Sequence, residues 1–166
     1  MINYLALIVS FTGLIFGKLL AKYVRDEIKE YKTKINIARR ITLGFIIVIS
    51  LFLGLTITSL VLTTIAALAA IFFMRKLNRP NIKIDYVFLG MISITLYMLQ
   101  IDSLMFIMAV LIFLYGIFYS SINSKFNVLV HGLEFFLPTV FLLLPLIYAG
   151  YILGFSATSL AFMFKD

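Results

Sequence analysis

Four long apolar runs, separated by short basic or polar breaks, constrain this chain more than anything else in it. They occupy residues 2–21, 41–74, 86–119 and 128–164, with breaks at 22–40, 75–85 and 120–127. A helix rises about 1.5 Å per residue and a bilayer core is about 30 Å thick, so about 20 apolar residues make one crossing. The first run fits one span. Residues 41–74 and 86–119 are 34 residues each, and 128–164 is 37. As one helix, 34 residues would be about 51 Å long. That is too long for one span and enough for two short ones. Turns are expected near residues 54–58, at Gln100, Asp102 and Ser103, and around residues 148–151.

The predicted fold is therefore all-α, a polytopic transmembrane helical bundle in one domain, residues 1–166. One N-terminal span is followed by three helical hairpins. The seven spans are 2–21, 41–55, 58–74, 86–100, 104–119, 128–147 and 151–164. Six is the alternative count, because the last segment holds Gly154, Ser156, Thr158 and Ser159 and has the make-up of a re-entrant stretch. The hairpins share no residue pattern that would mark a duplication.

Composition agrees. The chain is 63% hydrophobic and 13% charged, against about 25% charged for a soluble domain. A water-soluble protein this small has too much surface to hide that much apolar side chain. Cysteine is absent, which excludes disulfides, thiolate metal sites and a Cys nucleophile.

Charge supplies direction. With every long run folded as a hairpin, all 14 Lys and Arg fall on one side. They are Lys18, Lys22, Arg25, Lys29, Lys32, Lys34, Arg39, Arg40, Arg75, Lys76, Arg79, Lys83, Lys125 and Lys165. The positive-inside rule makes that side cytoplasmic. The expected location is the cell membrane, N-terminus outside and C-terminus inside. No basic stretch precedes the first run, so it reads as a retained span and not a cleaved signal. The net charge of +7 reads as attraction to anionic lipid headgroups, not to nucleic acid. Tyr23, Tyr86, Tyr115 and Tyr119 fall near cytoplasmic span ends. Tyr4, Tyr97, Tyr148 and Tyr151 fall near external ones. Both levels suit amphipathic rings.

Segment 22–40 carries Val24, Ile28, Tyr31, Ile35 and Ala38 at spacings of four and three, an amphipathic helix stripe. Glu30 and Lys34 are placed for an i,i+4 ion pair. The segment is expected to prolong the first helix or to lie on the headgroups. A docking surface for a partner protein is the sharper alternative.

His131 and Glu134 are the candidate functional pair. They lie three apart, one helical face, just inside the sixth span, and ionisable groups within a span are costly and often functional. The bland reading is that both reach the headgroups, with Asn127 capping their helix. Pro138 and Pro145, seven apart, are expected to kink that span. Asp85 and Asp102 read as helix-start or turn residues. Gly13 with Gly17, and Gly150 with Gly154, form GxxxG packing motifs. The third span adds the small residues Ser59, Thr63, Ala66, Ala67 and Ala70. These surfaces serve packing within the chain or a homo-oligomer.

The steps Arg25-Asp26-Glu27-Ile28-Lys29-Glu30-Tyr31-Lys32, Leu114-Tyr115-Gly116 and Gly154-Phe155-Ser156-Ala157 resemble those of small archaeal polytopic membrane proteins. That family's pattern has a Pro and a Gly within the first step, and this chain has neither. The resemblance implies a helical membrane protein and an archaeal source, and it implies no activity.

No P-loop, HExxH, nucleophile elbow or paired Mg²⁺-binding acidic motif is present. With a single His, no metal or cofactor is expected. The expected function is that of a non-enzymatic accessory or structural subunit. One alternative is a small transporter or channel component using His131, Glu134 and the Pro-kinked span. A second is a lipid-modifying enzyme.

Overall fold

The computed structural model describes residues 2–57, 65, 68–69, 72, 85–123, 127–139 and 148–163. Among these, seven helices account for nearly all the ordered backbone. They are α1 (Ile2–Tyr23), α2 (Arg25–Glu30), α3 (Lys32–Ile57), α4 (Asp85–Met98), α5 (Asp102–Ile122), α6 (Val128–Phe136) and α7 (Ala149–Met163). Three helical stretches, Leu5–Tyr23, Lys32–Leu55 and Asp102–Ile122, are long and apolar enough to cross a membrane. Asp85–Met98, Val128–Thr139 and Ala149–Phe162 are shorter apolar helices.

The basic segment 22–40 differs from the single amphipathic helix expected of it. Val24 (φ −124°, ψ 40°) and Tyr31 (φ −91°, ψ 9°) break the helix on either side of α2. Residues 32–40 then belong to α3. Val24, Ile28, Ile35 and Ala38 are half-buried and Tyr31 is exposed. Because Tyr31 interrupts the helix, the Glu30–Lys34 pair does not form, and Lys29 pairs with Asp26 at 3.1 Å.

Of the residues where a turn is expected, 54–57 are helical, because α3 continues through Ile57. Gly54 is a packing residue, where an added Cβ would sit 3.4 Å from the Gly154 backbone nitrogen of α7. The third span (58–74) with Ser59, Thr63, Ala66, Ala67 and Ala70 lies outside the described residues, apart from helical residues 65, 68, 69 and 72. Arg75, Lys76, Arg79, Lys83, Lys125, Lys165 and Pro145 lie outside them too. The turn between α4 and α5 falls where the polar residues place it, with Gln100 at φ 54°. At Pro138 the α-geometry of α6 tightens into a 3₁₀ turn over residues 137–139. Proline cannot donate the i→i−4 hydrogen bond, and its ring crowds the preceding turn.

Helix α1 packs most extensively on α5. A Cβ on Gly13 would come within 2.1 Å of the Phe113 carbonyl oxygen, and one on Gly17 within 2.4 Å of that of Ile117. This GxxxG motif is thus consumed inside the chain, and the matching order of contacts makes α1 and α5 parallel. Tyr86 lies beside His131, and Gly90 against Phe135, so α4 and α6 are also parallel. Helices α4 and α5 form an antiparallel hairpin.

Leu14, Ile46, Leu89, Ile92, Leu96, Ile112, Leu153 and Leu160 are fully buried between the helices. Several buried hydroxyls are satisfied by their own helix, as in Ser10→Ala6, Ser93→Leu89, Ser120→Gly116 and Ser156→Ile152, whereas those of Ser50 and Ser159 are buried without a hydrogen-bond partner among the described residues. The outer surface is strongly apolar. On α3, Ile37, Ile41, Phe45, Val48, Phe52 and Leu55 are all exposed, one continuous stripe at helical spacing. Soluble monomers rarely present so long an apolar face.

Candidate functional site

Helix α6 begins where Asn127 leaves its extended conformation and its side chain accepts a hydrogen bond from Leu129 N at 3.1 Å. That satisfies one orphan donor of the first turn and sets the rotation of the residues that follow. His131 and Glu134, three apart, meet on one face. His131 Nδ1 and Glu134 Oε2 share a hydrogen bond 2.5 Å long. Their side chains are only 15% and 25% exposed, so the pair turns inward.

It meets tyrosines from two other helices. The His131 ring lies 5.4 Å from Tyr86 and 5.9 Å from Tyr119, centroid to centroid. Tyr86, Tyr115 and Tyr119 pack on one another at 5.6 to 5.9 Å, Tyr86 tilted against Tyr115 and edge-on to Tyr119, and Tyr115 stacked with Tyr119, geometries that aromatic quadrupoles favour. All three are almost fully buried. The Tyr115 hydroxyl donates to Asp85 Oδ2 at 3.0 Å. From α3, the Arg39 guanidinium lies 5.7 Å over the Tyr119 ring, within cation–π range. Four helices thus deliver Arg39, Asp85, Tyr86, Tyr115, Tyr119, His131 and Glu134 to one cluster. It occupies the end of the bundle where α1 ends and α3, α4 and α6 begin.

Gly132 lets α6 approach closely. A Cβ there would meet the Phe11 ring of α1 at 2.7 Å, and Phe11 also packs on Phe136. Pro138 is buried at the end of this helix. Gly150 and Gly154 lie on α7 against Gly54, well along the chain from the cluster.

The structure brings His131 and Glu134 together and places Asp85 in contact with them through the tyrosines. Asp85 opens α4, as its place at the start of an apolar run implies, and also accepts the Tyr115 hydroxyl. The three tyrosines lie near helix ends in the sequence, but hydropathy does not show that they are rotated inward. The available signal is the Tyr115–Tyr119 spacing of four, which puts two polar rings on one face of a strongly apolar helix. Chemically the cluster offers hydroxyls, an imidazole, two carboxylates and a guanidinium. Among the described residues, no three His, Asp or Glu side chains converge as a metal set would require. Set against protein-family models, curated proteins and solved structures, the chain matches none.

Proposed function

We propose that this chain is a multi-pass integral membrane protein acting as a non-enzymatic helical-bundle subunit. Its cluster of Tyr86, Tyr115, Tyr119, His131 and Glu134 serves to lock helices α4, α5 and α6 together at one end. The membrane part of this reading is supported by the three apolar helices of spanning length and by the exposed aliphatic stripe of α3. The orientation proposed is N-terminus outside and C-terminus cytoplasmic. The parallel pairing of α1 with α5, and of α4 with α6, is what a seven-span hairpin order requires of spans one and five, and of spans four and six. All the described Lys and Arg, from Lys18 to Arg40, lie toward the end that this order makes cytoplasmic.

The single observation that carries the non-enzymatic reading is that the ionisable pair is engaged. His131 and Glu134 bond to each other through Nδ1 and Oε2, and the His131 ring packs against two buried tyrosines. Buried polar networks that are internally satisfied specify one packing of the helices.

Two measurements test it. Single cysteines introduced at 30, 56, 78, 102, 123 and 149 should label from two sides, 30, 78 and 123 together and 56, 102 and 149 opposite. Labelling of 56 from the side of 30 would sink the topology. His131→Ala and Glu134→Gln should lower stability and the recovery of the folded protein. A variant that keeps full stability but loses a transport flux would sink the structural role.

The second reading, a small transporter component, draws support from the partial exposure of the pair at the mouth of the bundle and from the helix tightening at Pro138, seven residues beyond His131. It predicts flux in proteoliposomes that vanishes in Glu134→Gln.

A further inference from the structure

The elbow between α1 and α3 binds anionic phospholipid headgroups, we infer, through exposed cations bracketed by two lysine–tyrosine pairs. This rests on the membrane reading above. At each bend a tyrosine is exposed and a lysine lies over its ring. Lys22 Nζ is 5.8 Å from the Tyr23 ring centre, and Lys34 Nζ is 5.1 Å from that of Tyr31. Tyr23 is 77% exposed and Tyr31 46%. Of the apolar stripe that would bury a free amphipathic helix in lipid, Val24, Ile28, Ile35 and Ala38 are half-buried. Apart from Ile37, what lies fully outward is charged, polar or aromatic.

Charge complementarity identifies the occupant. Of the elbow's cations, Lys29 is tied to Asp26. Lys22, Arg25, Lys32, Lys34 and Arg40 are exposed and have no carboxylate partner among the described residues. Arg39 is turned inward onto Tyr119. The basic surface is continuous with the exposed apolar faces of α1 (Ile15, Phe16, Leu19) and α3 (Ile37, Ile41, Phe45). A diacyl phospholipid has that same order of parts, with acyl chains below and a phosphate above. Tyrosine rings belong at the headgroup level between them, and a lysine stem can lie along apolar surface while its ammonium reaches the phosphate.

Each cation near an anionic surface contributes about 1 kcal/mol, equivalent to about fivefold in lipid selectivity. The full chain should therefore be reconstituted in nanodiscs of phosphatidylcholine mixed with phosphatidylglycerol, and the retained lipid identified by native mass spectrometry. Phosphatidylglycerol should be enriched around the wild type. The variant K22Q/R25Q/K32Q/K34Q should lose at least about tenfold of that enrichment. E27Q/E30Q, which removes two exposed acids, should raise it. Enrichment should also fall between 0.1 M and 1 M salt, as the screening length drops from about 10 Å to about 3 Å. Equal enrichment in wild type and the fourfold variant overturns the inference, as does enrichment indifferent to salt. Protection of the elbow from labelling in native membranes but not in these nanodiscs assigns the surface to a protein partner and also overturns it. Alkaline-carbonate extraction of every variant is the separate control. A chain released from vesicles by carbonate defeats the membrane reading itself, whereas a retained chain without lipid preference defeats this inference alone.

Discussion

The Tyr115 hydroxyl donates a hydrogen bond to Asp85 Oδ2 at 3.0 Å, joining residues 30 apart in the chain. It ties the first residue of α4 to the middle of α5 and anchors the aromatic cluster that holds His131. Interhelical hydrogen bonds within membrane proteins contribute about 0.6 kcal/mol on average and about 1.7 at most. Tyr115→Phe should therefore lower unfolding free energy by that order. The same loss is expected for Asp85→Asn, with the double variant less than additive. A double-mutant cycle in mixed micelles reads the coupling directly, and strict additivity would mean that the bond contributes nothing.

Two glycines of similar sequence setting should respond in opposite ways. A Cβ at Gly13 would meet the Phe113 carbonyl oxygen at 2.1 Å, whereas one at Gly44 has no atom within 4 Å. Gly13→Ala must push α1 off α5 and should cost about 3 kcal/mol or more. Gly44→Ala should stabilise by about 0.5–1 kcal/mol through the helical backbone alone. Thermal unfolding of the two variants side by side makes the comparison.

Asn127 caps α6 through Leu129 N. Asn127→Ala should cost about 1 kcal/mol, and Asn127→Asp should largely keep the stability. Because the cap fixes where α6 starts, Asn127→Ala should also increase amide exchange at residues 128–131. Unchanged exchange there would argue against the cap.

Gln100 sits at φ 54° in the turn between α4 and α5, a backbone region that costs a side-chain-bearing residue about 1 kcal/mol. Gln100→Gly should raise the melting temperature modestly. Gln100→Val, branched at Cβ, should lower it. Equal melting points for all three would show that the turn is not held in this conformation.

Local features alone determined much of this protein. Run length and hydropathy gave the helices, because in an apolar environment a backbone must satisfy its own hydrogen bonds and the helix is the local way to do so. The polar turn at Gln100, the start of α4 at Asp85 and the cap at Asn127 were legible from local sequence too, whereas the turn expected around residues 148–151 is helical from Ala149 on. The i,i+3 contact of His131 and Glu134 follows from helical periodicity. What tertiary structure decided was rotation and neighbourhood. The spacing of Tyr115 and Tyr119 puts the two on one helical face, but nothing near them or near Tyr86 in the chain says that Tyr86 and Tyr119 meet His131. Gly13 and Gly44 likewise look equivalent until α5 lies against the first and not the second. Gly54 looked like a turn residue, yet it sits inside a helix that packs on α7. In a chain apolar on nearly every face, hydropathy has little amphipathic contrast with which to orient a helix. Close approach of backbones at small residues and the pairing of a few polar groups make that choice instead, and both depend on residues far away in sequence.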